Sequence, residues 1–300
     1  MTRRRLIPAV ATLVGGWCAV TAWSGTLPVV ETRTFRSASL GQERAYNVLL
    51  PVGYATGGRR YPVLYLLHGR NGDHTDWAER TSLREAVRDA ELLIVMPNGD
   101  ARGWYTDRAD GADNHESQIV RDLLPHVDAT YRTIARREGR AVAGLSMGGY
   151  GALKLALKHP ELFVAAASHS GAVTFAREKG RDAPEIFGTG AEGAARRRDN
   201  DVLRLAAGLV PRNDVWNGPA LYLDCGTEDY LYDANLRLRT LLRELSIPYE
   251  YHEFPGGHSW NYWNARLPAQ LRFTLRHLAP AEDGPPGSRA AEDHRDQRPD

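Results

Sequence analysis

The sequence predicts an α/β fold, a mostly parallel sheet covered by helices on both faces, and three observations carry that expectation. Apolar segments of strand length alternate along the chain with segments of helical spacing. The apolar segments are continuous rather than alternating, as strands buried on both faces require. The 300 residues, 42% hydrophobic and 25% charged, are enough to build one large core.

The elements follow in chain order. Segments 32–36 and 44–50 are of β type and separated by a Ser/Gly turn, so they open the fold as an antiparallel pair. The run YPVLYLL at 61–67 is the first buried strand and ends at His68-Gly69. Ser82 and Glu85 form a capping box ahead of Leu83, Ala86 and Val87, which begin a helix. LLIVM at 92–96 is the next buried strand, and Ile119, Val120, Leu123, Leu124 and Val127 place a helix over 116–131. AVAGL at 141–145 returns to strand and leads into a helix over 148–158. Strands at 163–168, 220–225 and 249–254, a helix over 231–245 and a final helix over 260–278, bent near Pro268, complete the alternation. Repeated crossovers between apolar strands imply parallel pairing. Segment 172–218, rich in Gly and Arg, breaks the rhythm and reads either as an insertion over the catalytic edge or as structural decoration.

The two ends look separable from a domain spanning 32–279. Arg3, Arg4 and Arg5 precede an uncharged stretch to about Trp23, the pattern of an export signal over residues 1–22 with Val20 and Ala22 before the cut. That segment implies a secreted protein, through a signal that partly resembles the twin-arginine kind, or a membrane-anchored one if it is retained. Residues 280–300 hold almost no large apolar side chain and read as a disordered tail. A formal net charge of +1 gives no field for nucleic acid and no support for a stable membrane partner. Cys225 stands alone in a buried strand once Cys18 is removed with the signal, so no internal disulfide is expected.

The chemistry is concentrated at three places. Gly144-Leu145-Ser146-Met147-Gly148 matches GxSxG where a strand passes into a helix, the context in which small flanking residues allow a sharp turn that exposes the serine hydroxyl. A serine hydroxyl needs a base. Among ten histidines, His258 follows the last strand in the glycine-rich loop PGGHSW, the position expected when nucleophile, acid and base occur in that order. The acid lies after strand 220–225, where Asp229 sits at the turn before the helix; the alternative is that Asp229 caps that helix while Glu228 serves the histidine. The backbone N–H of Met147 and that of Arg70 are the expected oxyanion donors. His68 reads as a structural residue of the Arg70 loop. Trp104, Tyr105, His169 and Trp260 are candidate substrate contacts, and no metal-ligand spacing or cofactor motif occurs.

On YLLHG, DLLPHVDATYRT, GRAVAGLSMGGYGALKLALKHPELF, DCGTEDYLYDANLRL and PGGHSWNYW, the chain resembles the esterase D-like family of α/β hydrolases from about residue 32 to 278. That family includes tributyrin esterases, feruloyl and acetyl-xylan esterases, S-formylglutathione hydrolases and the antigen 85 mycolyltransferases. The resemblance implies an α/β-hydrolase fold, with Ser146, Asp229 and His258 as nucleophile, acid and base, Arg70 and Met147 as oxyanion donors, and no cofactor. It implies a serine carboxylesterase acting on short-chain or carbohydrate-linked esters. An acyltransferase with the same triad, a non-catalytic recognition module and a peptidase are the competing readings. The GTEDYLYDAN passage looks most like the tributyrin-type branch, and Asp229 stands where antigen 85 proteins carry a glutamate.

Overall fold

The computed structural model describes residues 26–180, 182–209 and 216–284. Strand β1 (Val29–Ser37) pairs antiparallel with β2 (Gln42–Leu50), as the opening segments predict. β2 then pairs antiparallel with β4 (Leu93–Pro97), which lies beside β3 (Val63–Leu67). From there β5 (Arg140–Leu145), β6 (Ala165–His169), β7 (Ala220–Gly226) and β8 (Glu250–Phe254) add in parallel, giving the order β1-β2-β4-β3-β5-β6-β7-β8. This is an α/β-hydrolase sheet.

Burial on two faces explains the continuous apolar runs. In β3, Leu64 and Leu66 pack into the layer formed with α1 (Asp76–Arg80) and α2 (Leu83–Ala86), while Val63, Tyr65 and Leu67 pack into the opposite layer. Each fully buried leucine of this kind contributes ~1.5–3 kcal/mol of transfer free energy.

The helix expected over 116–131 is built of three pieces: α3 (His115–Ser117), a π-helical stretch Gln118–Leu123, and α4 (Leu124–Thr130). Pro125 has no N–H to offer the preceding turn, so the ladder cannot run unbroken through it. The capping box at Ser82 does not form; the Ser82 N–H and hydroxyl both donate to Asn264 Oδ1, and the helix there is one turn long.

Helix α5 (Met147–Lys158) follows β5 directly. Between β6 and β7 lie α6 (Asp182–Phe187), α7 (Gly190–Asp199) and α8 (Val202–Gly208). α9 (Tyr232–Glu244) precedes β8, and α10 (Trp260–His277) runs as one helix through Pro268, joining the layer of α1 and α2. The expected export signal lies outside the described residues, as does most of the expected tail. The boundary of that tail needs correction, because residues 280–284 are packed on the domain. Glu282 forms an antiparallel bridge with Arg60 and an ion pair with Arg136 at 3.0 Å, and Ala281 is buried.

Candidate active site

Ser146 occupies the turn between β5 and α5 with φ 53° and ψ −115°. Holding a non-glycine residue there costs on the order of 1–3 kcal/mol and needs a surrounding structure that over-determines it. The Ser146 N–H donates to the His169 carbonyl at 2.9 Å, and the Ser146 carbonyl accepts from Tyr150 and Ala172, each at 3.0 Å. The flanking glycines explain the motif. A Cβ on Gly148 would lie 2.4 Å from the Leu67 carbonyl oxygen, and one on Gly144 would lie 2.5 Å from the Gly148 backbone. The chain can cross itself here only where side chains are missing.

The loop after β8 brings His258 Nε2 to 2.9 Å from Ser146 Oγ, and Nδ1 lies 2.8 Å from Asp229 Oδ2 and 3.1 Å from Oδ1. An ionised carboxylate only accepts, so Nδ1 carries the proton and Nε2 is left to accept from the serine hydroxyl. Burial on its own would raise the Asp229 carboxyl. Hydrogen bonds from His258, the Leu231 N–H and Ser170 outweigh it and hold the group below the usual carboxylate range. Asp229 therefore meets both of its sequence readings, capping the turn into α9 through Leu231 at 2.8 Å while holding the imidazole. Glu228 points elsewhere: its carboxylate accepts from the Gly256 N–H and the Thr227 hydroxyl, tying the acid loop to the histidine loop.

Facing the serine is the loop after β3. A Cβ on Gly69 would lie 2.6 Å from Leu145 Cδ1 and 3.6 Å from Ser146 Cβ, so the main chain at 69–70 lies against the elbow. The Met147 N–H opens α5 and has no intrahelical acceptor. His68 is fully buried; its Nε2 accepts from the Gly99 N–H at 2.9 Å, which makes Nδ1 the donor to the Gly69 carbonyl at 2.7 Å. Burial pushes its pKa down to about 4, so it is a neutral staple between two loops.

Two compartments meet at Ser146. The larger, about 530 Å³, is bordered by Trp104, Ala172, Phe175, Tyr230 and Arg237; the smaller, about 340 Å³, by Arg70, Asp76, His258, Trp260 and Trp263. Tyr230 borders both, 75% exposed, with its ring 4.6 Å from that of His258. Of the four expected substrate contacts, Trp104 and Trp260 line this space.

Tyr105 and His169 do not, which corrects the expectation for both. Tyr105 is buried with its hydroxyl on the His68 carbonyl at 3.1 Å, and His169 is buried with Nδ1 on Asp224 Oδ2 at 2.7 Å. Each lies beneath the rim because its side chain points into the core below the strand ends. Tyr230, Phe175 and Asp182 were missed. Tyr230 directly follows Asp229 and could have been inferred from that position, whereas Phe175 and Asp182 sit in the segment that follows no strand–helix rhythm.

A family model described as "Putative esterase" matches residues 37–274. Esterase Rv1288 of Mycobacterium tuberculosis is 35% identical over 282 residues; the match covers 85% of this chain and 61% of that protein, so the chain spans less than two thirds of that relative's length. An acetyl esterase of Caldicellulosiruptor saccharolyticus is 27% identical over 67% of this chain and 79% of its own. Among solved structures, a ferulic acid esterase superposes with a TM-score of 0.73 at 28% identity, covering 84% of this chain and all of its own. By the extent of the matched model and the identity to these relatives, the chain belongs to this esterase family of the α/β-hydrolase fold.

Proposed function

We propose that the protein is a serine carboxylesterase that cleaves short-chain or carbohydrate-linked esters through an acyl-enzyme. The observation that carries the reading is the continuous relay from Asp229 through His258 to a serine hydroxyl that opens onto a cleft. In the first step His258 Nε2 takes the proton as Ser146 Oγ bonds to the ester carbonyl carbon, and the carbonyl oxygen becomes an anion facing the amides of Arg70 and Met147. The anion collapses, the C–O bond to the alcohol breaks, and His258 returns the proton to the departing oxygen. Water then repeats the sequence on the acyl-serine, releasing the acid and restoring the hydroxyl. Asp229 keeps the imidazole in the required tautomer and stabilises its charged form.

Substrate class is supported by the shape and chemistry of the cleft. Trp104 and Phe175 offer flat apolar walls, while Glu178, Asp233 and Arg237 offer polar partners at its border, a combination suited to a compact acyl group and a hydroxylated alcohol. The acetyl and ferulic acid esterases among the relatives act, by name, on such acyl groups. Export is part of the proposal, on the strength of the basic and apolar pattern at residues 1–22.

The test is turnover of a p-nitrophenyl series from acetyl to long-chain acyl, with a feruloyl ester alongside. Fast cleavage of the shorter or feruloyl members, absent in Ser146→Ala, is expected. No turnover of any member by the wild type contradicts the reading, and acyl transfer to an added alcohol in preference to water replaces it with an acyltransferase.

A further inference from the structure

One carboxylate outside the triad joins three parts of the cleft. Asp182 begins α6, in the segment between β6 and β7, and is 7% exposed. Its Oδ2 accepts from Arg70 Nε at 2.8 Å and from Trp104 Nε1 at 3.1 Å, and its Oδ1 accepts from Arg70 Nη2 at 3.3 Å. The guanidinium of Arg102 lies 3.8 Å away. The Arg70 pairing is the two-point fork that fixes a guanidinium in direction as well as distance.

We propose that Asp182 is a positioning residue for ester cleavage, holding the Arg70 loop at the serine and the Trp104 wall of the larger compartment with a single carboxylate. The proposal rests on the esterase reading and extends it. Arg70 is the residue whose main-chain N–H faces the developing anion in that reading, and its side chain is the handle by which Asp182 grips the same residue. Trp104 and Tyr105 have φ of 50° and 49°, two successive non-glycine residues in the left-handed region. Such a pair persists only when several contacts fix it. Those contacts are the Asp182 bond, the stack of Trp104 on Phe175 at 3.5 Å and 1°, and the buried Lys154, whose ammonium donates to the Tyr105 carbonyl.

Phe175 and Asp182 both come from the segment after β6, which thereby builds part of the cleft wall. An exposed ion pair contributes ~0–1 kcal/mol and would register only in stability. Here the carboxylate side is buried while the Arg70 side chain is 39% exposed; burial alone would raise the Asp182 carboxyl, and the Arg70 and Trp104 hydrogen bonds outweigh that and keep it ionised below its usual range.

The test uses the full chain, p-nitrophenyl acetate, and a boronic acid that forms a tetrahedral anion on the serine. Displacing a reacting group by 1 Å costs ~10²-fold, so Asp182→Asn is expected to lower kcat by roughly ten- to a hundredfold with little change in KM or in the unfolding midpoint. Boronate affinity falls by the same factor. Arg70→Gln gives a loss no larger than that of Asp182→Asn, and the double variant is no worse than Asp182→Asn alone, because the ion pair that Arg70→Gln removes is already gone in it. Trp104→Phe keeps the stacked ring, removes only the indole donor, and shows a smaller kcat loss of the same kind.

Unchanged kcat in a folded Asp182→Asn protein, additive losses in the double variant, or a loss confined to stability would overturn the proposal. If Asp182→Asn does not fold, unchanged kcat in Trp104→Phe overturns it. Ser146→Ala separates the two levels. A wild type no more active than Ser146→Ala removes the esterase reading and this proposal with it, whereas an active wild type with an unaffected Asp182→Asn removes only the proposal.

Discussion

Two histidines of this protein hold an aspartate through Nδ1, one strand apart, and their surroundings give them different work. His258 lies 2.8 Å from Asp229 Oδ2 and presents Nε2 to the Ser146 hydroxyl at the cleft. His169 lies 2.7 Å from Asp224 Oδ2, across the directly paired positions of β6 and β7, and both side chains are completely buried. Its Nε2 has no protein partner among the described residues. The pairing of imidazole with carboxylate alone does not single out the base of the proposed mechanism. What sets the His258 pair apart is placement in loops beyond the strand ends, where Nε2 meets the Ser146 hydroxyl at the cleft. The buried pair sits within the strands, and its contribution is to the packing that supports the elbow, since the His169 carbonyl anchors the Ser146 N–H.

Substitution separates the two pairs, and the largest effect is expected at the serine and its base. Ser146→Ala or His258→Ala should reduce kcat by on the order of 10⁴–10⁶, measured by steady-state hydrolysis against a blank. Asp229→Asn should cost ~10⁴-fold, because an amide can favour the wrong tautomer of His258. The matched change Asp224→Asn should leave kcat within roughly tenfold and appear instead as ~1–3 kcal/mol in urea unfolding, the cost of imperfectly paired buried groups. Equal kinetic losses in the two asparagine variants would mean that the buried pair takes part in the reaction.

His68 offers a third environment, a histidine with two main-chain partners and, among the described residues, no carboxylate in hydrogen-bond contact. Its pKa is depressed from 6.5 to about 4. Between those values the unfolded chain binds a proton that the folded one refuses, so stability is full above pH 6.5 and is lost as pH falls towards 4, by about 3 kcal/mol in all. His68→Gln should flatten the pH dependence of the urea midpoint in that window, and an unchanged slope would contradict the assignment. The smallest effect concerns Cys225. Burial pushes its thiol up to about 12, so it should resist a thiol reagent in the native protein and react on unfolding, as read by absorbance.

Much of the scaffold was legible because the sheet is buried on both faces, which leaves runs such as YPVLYLL and AVAGL that mean little else. The elbow was legible for a related reason: crossing backbones forbid side chains, so Gly144 and Gly148 leave a sequence mark. His258 and Asp229 followed from chain order. Orientation was not legible. Tyr105 and Trp104 are neighbours with the same backbone region, yet one ring enters the core and the other lines the cleft, a choice made by Phe175 and Asp182 from a distant segment. Likewise His169 occupies the end of a strand at the edge where Ser146 lies, yet its ring is buried against the Asp224 carboxylate opposite it in β7 and beside Trp77 and Tyr222.

In the proposed reaction one imidazole, at position 258, makes one hydroxyl, at position 146, reactive. Mass spectrometry of the intact protein after brief exposure to a fluorophosphonate tests it directly. A single adduct is expected, located on Ser146, forming within roughly tenfold of the wild-type rate in Asp224→Asn and slowed by several orders of magnitude in His258→Ala. An adduct on another serine, or unchanged labelling without His258, would contradict it.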